Sequence, residues 1–243
     1  MNSELDPFAY HPELRDRIAD PLQSYFRTFT TANLAALARE RGLQADWWYP
    51  DEVRQAMRAK TLSAHGDTDL WVFAYGSLMW DPALRFSEVR RARVPDYARH
   101  FILKDVFGAR GTRKAPGLMA ALDEGVGCDG LLFRIAREEV EQETEILWQR
   151  EMVGPAYKAI FVDATVSDEP ITALTFVADH EAELIDTTLT RAEQIHFIAT
   201  GKGFLGSSLE YLTNISDHFA ALGINDEDVT GLLRDTESYM RKP

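Results

Sequence analysis

Two short stretches carry residue types that can do chemistry. Tyr75-Gly76-Ser77-Leu78 directly follows the apolar run Trp71-Val72-Phe73-Ala74. It reads as a strand that breaks at a glycine and presents backbone N–H groups to whatever sits above it. N–H groups gathered in such a turn form a nest for an anion, and glycine permits both the sharp turn and a close approach of the ligand. Some seventy residues later, Arg150-Glu151 stands at the end of a strongly patterned helix. A loop that can hold a carboxylate, combined with a stranded carboxylate that can move a proton, suits chemistry on a small zwitterion.

The helix that delivers Glu151 spans about Arg137 to Met152 and carries six glutamates. At about 100° per residue, with Val140 as origin, Thr144 lies near 40°, Leu147 near −20° and Glu151 near 20°. Glu138, Glu141 and Glu145 fall at about 100° to 160°, on the solvent side, and Glu139 and Glu143 toward the margins. Glu151 therefore points along the Val140/Leu147 stripe, where an unpaired carboxylate is costly. Three readings are open: an ion pair with Arg150, Arg134 or Lys158; a frayed end in water; or a general base whose pKa is raised by burial.

The elements around these stretches fall into two parts. Residues 1–66 read as a helical extension packing on the core, with Pro12 and Pro21 punctuating two short helical pieces between Glu13 and Phe26. Thr31 is placed to cap a helix that stops at Gly42, and Asp51 to Lys60 forms a charged helix. These short helices cannot build a core of their own, and Trp47 and Trp48 are expected to dock them on residues 67–243. Ser63-Ala64-His65-Gly66-Asp67 is the expected linker. From Leu70 onward, short strands follow one another at Trp71–Tyr75, Val89–Val94, Ala98–Lys104, Leu118–Leu122, Gly130–Ile135, Tyr157–Thr165 and Ile171–Val177. The glycine-rich Gly108–Thr112 and Pro116-Gly117 read as loop. The last third is helical. Strands first and helices later, without a regular alternation, predict an α+β fold with a mainly antiparallel, barrel-like sheet.

Bulk properties bound the function. A net charge of −13 argues against nucleic acid or an anionic membrane as partner, since both reward a basic patch. One cysteine, Cys128, cannot form an internal disulfide and reads as a buried structural thiol. With no secretory leader pattern at the start, a cytoplasmic location is expected. The six histidines are scattered without metal-ligand spacing, so no metal site is expected. Gly201-Lys202-Gly203-Phe204-Leu205-Gly206 matches GxGxxG literally, but it follows a helix rather than a strand and lacks the context of a dinucleotide loop. Asn225-Asp226-Glu227-Asp228 is expected to cap a helix.

Taken in order, Trp71 through Trp80, Gly111-Thr112 with Pro116-Gly117, Cys128-Asp129-Gly130 with Phe133-Arg134-Ile135, and Arg150-Glu151-Met152 resemble the ChaC-type γ-glutamylcyclotransferases. Gly206 with Glu210-Tyr211-Leu212, then Leu222-Gly223-Ile224, completes the series. The resemblance covers residues 70 to about 235 and leaves the extension outside it. Ser208 departs from it, since some members carry asparagine shortly before the Glu-Tyr-Leu step.

The resemblance implies cleavage of a γ-glutamyl amide, glutathione in the ChaC branch, to 5-oxoproline and cysteinylglycine. The substrate's α-amine attacks its own γ-carbonyl, so no enzyme nucleophile, metal or cofactor is called for. It implies Glu151 as the general acid/base. An ordinary glutamate facing an α-ammonium group meets a gap of about 3.7 pKa units, roughly 5 kcal/mol uphill, which burial of the glutamate narrows. Gly76, Ser77 and Leu78 would hold the α-carboxylate through backbone N–H groups. Tyr75 is either a substrate neighbour or a core aromatic, and Tyr211 either a hydrogen-bond partner of the γ-glutamyl group or helix packing. Arg113, with Lys114, would meet the glycine carboxylate. Other γ-glutamyl peptides or amines as substrate, and a non-catalytic regulatory binding protein, are the alternatives. The oligomeric state is not legible.

Overall fold

The computed structural model describes residues 6–42 and 47–241. Its centre is a closed ring of five strands. β1 (Leu70–Ala74) pairs antiparallel with β5 (Cys128–Ile135), Leu70 opposite Ile135, and β5 pairs antiparallel with β2 (Glu88–Val94), Cys128 opposite Val94. β2 touches β6 (Tyr157–Val166) through Arg93 and Thr165, β6 forms a long hairpin with β7 (Glu169–Ala178), and β7 returns parallel to β1 at Val72–Leu174 to close the ring. The hairpin turns through Ser167 and Asp168, both at positive φ (49° and 72°), the backbone that matches the twist of a two-residue turn. A second hairpin, β3 (Tyr97–Phe107) and β4 (Thr112–Glu124), joins the edge of β7 in parallel at Leu122–Val177. The expected α+β, barrel-like sheet is present.

Strand periodicity explains the ring. Consecutive residues of β1 enter different clusters: Val72 and Ala74 pack with Phe133, Leu147, Trp148 and Phe219, whereas Phe73 packs with Val94, Leu132 and Ala164. Both faces are covered, so Leu70, Val72, Phe73 and Ala74 are all fully buried. In β2 the buried positions are Val89, Ala92 and Val94, with arginines between them, as befits a strand with one wet face.

Among the described residues six α-helices surround the sheet: α1 (Thr31–Arg41), α2 (Asp51–Leu62), α3 (Val140–Glu151), α4 (Arg191–Thr200), α5 (Ser208–Leu222) and α6 (Glu227–Met240). Local sequence sets several boundaries. Capping boxes at Thr190/Glu193 and Ser207/Glu210 start α4 and α5, and Asp226 caps α6 by accepting from the N–H of Val229. Two local expectations are corrected. The cap of α1 is Thr30, whose hydroxyl accepts from the N–H of Asn33, and Thr31 is the first helical residue. Pro116-Gly117 lies inside β4, because the chain on either side is held by β3, with Asp105 opposite Gly117.

The described residues of the extension preceding β1 form three 3₁₀ turns followed by α1 and α2. Leu14 and Ile18 are buried in the main apolar cluster. Charged anchors fix the rest to α3. Arg27 pairs with the fully buried Glu143 at 2.5 Å, and Arg58 donates to Thr144 Oγ1 at 3.0 Å and to the Glu141 carbonyl at 3.2 Å. Glu143 is therefore not marginal on α3. Arg27 and the backbone N–H of Arg85 both reach its Oε2, while its buried Oε1 has no hydrogen-bond partner among the described residues, so the Arg27 cation carries most of the compensation. Trp47 stacks flat on Phe107, ring centroids 4.4 Å apart and planes within 6°.

Candidate active site

β1 ends at Ala74 and the chain turns over the end of the ring through a 3₁₀ turn, Ser77–Met79. Gly76 is required there because a Cβ would stand 2.7 Å from the Tyr211 hydroxyl. The turn's own hydrogen bonds use the N–H groups of Met79, Trp80 and Asp81. Those of Gly76, Ser77 and Leu78 stay available at its start.

Glu151, the last residue of α3, comes to this turn. Arg150 Nε lies 2.9 Å from its Oε1, and the same guanidinium donates to Ser77 Oγ at 2.9 Å and to the Asp81 carbonyl. Of the partners considered for Glu151, Lys158 is instead paired with Asp179, and Arg134 with Asp69 and Glu88. Burial pushes the Glu151 carboxyl above its ordinary range, and Arg150 pulls it part of the way back. The contrast with Glu143 on the same helix is instructive: Glu143 is sealed at 0% side-chain exposure, whereas Glu151 retains 16% and faces cavities.

Three tyrosines stand around the carboxylate. Tyr75 donates to the Phe176 carbonyl at 2.9 Å, and the Tyr157 hydroxyl lies against it. Tyr211 reaches in from α5 with the Ala120 N–H against its hydroxyl oxygen. Burial raises Tyr75 and Tyr157 well above the usual phenol range and pushes Tyr211 up to about 12, so all three stay protonated.

Three adjoining cavities meet at Ser77 and Tyr211. The smallest, about 30 Å³, is lined by Tyr75, Gly76, Ser77, Leu78, Glu151 and Tyr211, among others. A largely apolar one of about 170 Å³ also reaches Glu151. The third, about 460 Å³, is bordered by Arg41, Arg110 and Arg150. Six of the seven residues expected at the site, Tyr75, Gly76, Ser77, Leu78, Glu151 and Tyr211, thus come together. Arg113 does not join them: it is exposed on β4 and lines none of the three cavities.

From the same glycine-rich stretch the cation that borders the site is Arg110, three residues earlier, alongside Arg41 and Arg150. Asp105 shapes that turn by accepting from the N–H groups of Phe107, Arg110 and Gly111. Burial lowers the Arg110 pKa, with Tyr211, Glu210 and Asp105 opposing the shift. The discounted Gly201–Gly206 stretch also contributes. It forms a small hairpin, β8 (Lys202–Gly203) and β9 (Gly206–Ser207), whose Phe204 and Leu205 N–H groups bond to the Gly108 and Ala109 carbonyls at 2.8 and 2.9 Å. Gly203 permits that approach, since a Cβ would meet the Gly108 oxygen at 2.1 Å, and Phe204 and Leu205 become cavity wall. Ser208, buried, accepts from the Leu118 N–H at 2.9 Å and ties α5 to β4. Among the described residues no three His, Cys, Asp or Glu side chains group closely enough to ligate a metal ion.

Residues 70–239 match the model of the ChaC-like protein family. The chain belongs to that family. It is 36% identical over 185 residues to the glutathione-specific gamma-glutamylcyclotransferase of Escherichia coli (strain K12), covering 75% of this chain and 79% of the relative. It is 32% identical over 165 residues to the glutathione-specific gamma-glutamylcyclotransferase 1 of Homo sapiens, covering 65% and 73%. The crystal structure of a glutathione-specific gamma-glutamyl cyclotransferase from yeast superposes with a TM-score of 0.66 at 20% identity, over 71% of this chain and 97% of that one, a likeness of fold. The family match begins at Leu70, so the extension lies outside it while supplying Phe26, Phe29, Leu34, Leu37, Arg41 and Trp47 to the cavities. Nothing in the isolated sequence of that extension signalled those roles except the aromatic Trp47-Trp48 pair.

Proposed function

We propose that this ChaC-like chain is a γ-glutamylcyclotransferase that cleaves glutathione to 5-oxoproline and cysteinylglycine, with Glu151 as general acid/base. The observation that carries the reading is the small cavity shared by Glu151, the Gly76–Leu78 turn and Tyr211. A buried carboxylate and a set of backbone donors on one small cavity answer the two needs of the reaction, a base and a carboxylate holder.

In this mechanism the substrate's α-carboxylate lies against the N–H groups of Gly76, Ser77 and Leu78. That bends the γ-glutamyl chain so that its α-amine faces its own γ-carbonyl carbon, and the ring closure becomes a matter of orientation. Glu151 takes a proton from the α-ammonium, the amine nitrogen bonds to the γ-carbon, and the amide bond to the cysteinyl nitrogen breaks as Glu151 returns the proton to that leaving nitrogen. The second proton shed by the ring nitrogen follows through the same carboxylate, so the ring keeps one N–H and cysteinylglycine leaves as an ammonium. The raised pKa of Glu151 supports both halves of the task, since it lessens the uphill first transfer and keeps the second one favourable. Tyr75 commits its proton to the Phe176 carbonyl. Tyr211, protonated and on the wall of the small cavity, has its hydroxyl to offer a ligand oxygen. Arg110 and Arg150, which border the roomiest of the three adjoining cavities, are the cations suited to the glycine carboxylate, the role first given to Arg113. The family and the lone buried thiol of Cys128 are in keeping with work in a reducing, cytoplasmic setting.

The test is 5-oxoproline release from glutathione by the purified full chain, wild type beside Glu151→Gln, with thermal melting to establish folding. Release by the wild type and its loss in a folded variant support reaction and residue together. Retained activity in the variant removes Glu151 from its role, and no release from the wild type removes glutathione as substrate.

A further inference from the structure

The extension reaches the site as well as bracing α3. Phe26, Phe29, Leu34 and Trp47 wall the 170 Å³ cavity that opens on Ser77 and Glu151. Of its walls, Phe29 and Leu34 are buried, 6% and 3% exposed, while Trp47, Phe107 and Phe204 are half-buried, so the same cavity is lined by core side chains and by side chains that reach the surface. Polar groups gather at one end, where Ser77, Arg150 and Glu151 stand. The remaining carboxylate on the wall, Asp105, is occupied by the N–H groups of its own turn.

A cysteinylglycine leaving group forks at the cysteine α-carbon. The cavity bordered by Arg41, Arg110 and Arg150 suits the glycine carboxylate. The cysteine side chain is then directed into the apolar branch, where a CH₂–SH group fills only the entrance. An apolar space left unfilled forfeits contacts that a hydrocarbon would make.

We infer that this branch accepts a hydrophobic substituent on the cysteine sulfur, so that the chain cleaves S-alkyl and S-aryl conjugates of glutathione as well as glutathione itself. The inference rests on the glutathione reading above and extends its substrate class. The bonds made and broken are unchanged: the α-amine nitrogen bonds to the γ-carbon, the amide C–N bond to cysteine breaks, and the proton passes through Glu151 to the leaving nitrogen. The sulfur–carbon bond is untouched, and the products are 5-oxoproline and the S-substituted cysteinylglycine. Each methylene buried in the branch favours the conjugate by about fourfold.

The experiment measures 5-oxoproline release by the full chain from glutathione, S-methylglutathione and S-hexylglutathione, as kcat/KM. The expected order is rising, with S-methylglutathione about fourfold above glutathione and S-hexylglutathione at least about tenfold above it. Two variants narrow the branch, Leu34→Phe and Ala109→Leu, both on its wall. In whichever of them melts like the wild type, the preference for S-hexylglutathione over glutathione falls at least about tenfold. Turnover of glutathione with S-hexylglutathione below about a tenth of it overturns the inference and leaves the glutathione reading standing. Turnover of both with a preference that neither variant moves also overturns it. Release from none of the three overturns both.

Discussion

The site has two walls of different origin. On the barrel side, Tyr75, Tyr157 and the Gly76–Leu78 turn are continuous with strands whose register is set residue by residue, from Leu70–Ile135 to Val166–Glu169. On the arm side, Phe26, Phe29, Leu34 and Trp47 belong to 3₁₀ turns, a short helix and loop, held by a few strong contacts. Those contacts are the Arg27–Glu143 pair, Arg58 on Thr144, Trp47 on Phe107 and Phe26 against the Arg150 guanidinium at 4.1 Å. The barrel wall lies in the family match and the arm wall outside it. α3 joins them, with Glu143 turned to the arm and Glu151 to the cavities. The candidate reacting centre stands on the hydrogen-bonded sheet, and part of the space around it is walled by a segment outside the family match.

That division predicts different consequences for damage to each wall. The largest effect belongs to the reacting centre: Glu151→Gln lowers kcat by about 10²- to 10⁴-fold with an unchanged melting temperature, read by 5-oxoproline release. A comparable loss from any arm residue would erase the distinction between the walls. Next comes the joint. Arg27→Ala leaves Glu143 buried without its cation and costs about 3 kcal/mol in denaturant unfolding, whereas Arg27→Met with Glu143→Leu recovers most of it. Failure of the double variant to recover would mean that the pair fixes the arm's position as well as compensating its own burial.

Arg150→Gln is expected to lower kcat/KM by about tenfold, through loss of its bond to Ser77 and its cation beside the carboxylates. It also carries a pH signature. Glu151 must be ionised to accept a proton, so wild-type kcat/KM rises with pH through a value above the ordinary carboxylate range. Removing the cation that lowers this pKa moves the rising limb to higher pH. A limb that moves down or stays would detach the limb from Glu151. The smallest effect is on the arm wall: Trp47→Ala removes the flat stack on Phe107 and costs about 1 kcal/mol of stability. Its activity change should appear in KM more than in kcat, and the reverse split would make the arm part of the reacting centre.

Much of this was legible in the chain. The order of strands, the barrel-like sheet, the break at Gly76 and the inward direction of Glu151 all follow from local periodicity and turn chemistry, which act over a few residues. The missed features share another character. Arg113 and Arg110 sit in one glycine-rich stretch with similar local signals, and only the Asp105-held turn selects Arg110. Glu143 was assigned to a margin because helical angle states direction without stating what lies opposite. Arg27, 116 residues away, and the Arg85 N–H supply that answer. Phe204 and Leu205 were hidden in a motif whose glycines serve close packing.

The sequence by itself therefore determined most of the elements, the glycine stop of α1 and the Asp226 cap, the break at Gly76 and the face on which Glu151 lies, because backbone sterics and side-chain period are local properties. Only the tertiary structure decided that Glu151 takes Arg150 and not Lys158 as neighbour, that Arg110 borders the cavity, and that a segment outside the family completes its wall. Those outcomes depend on which surfaces meet, and residues distant in sequence acquire a common environment only when the ring closes and the arm docks.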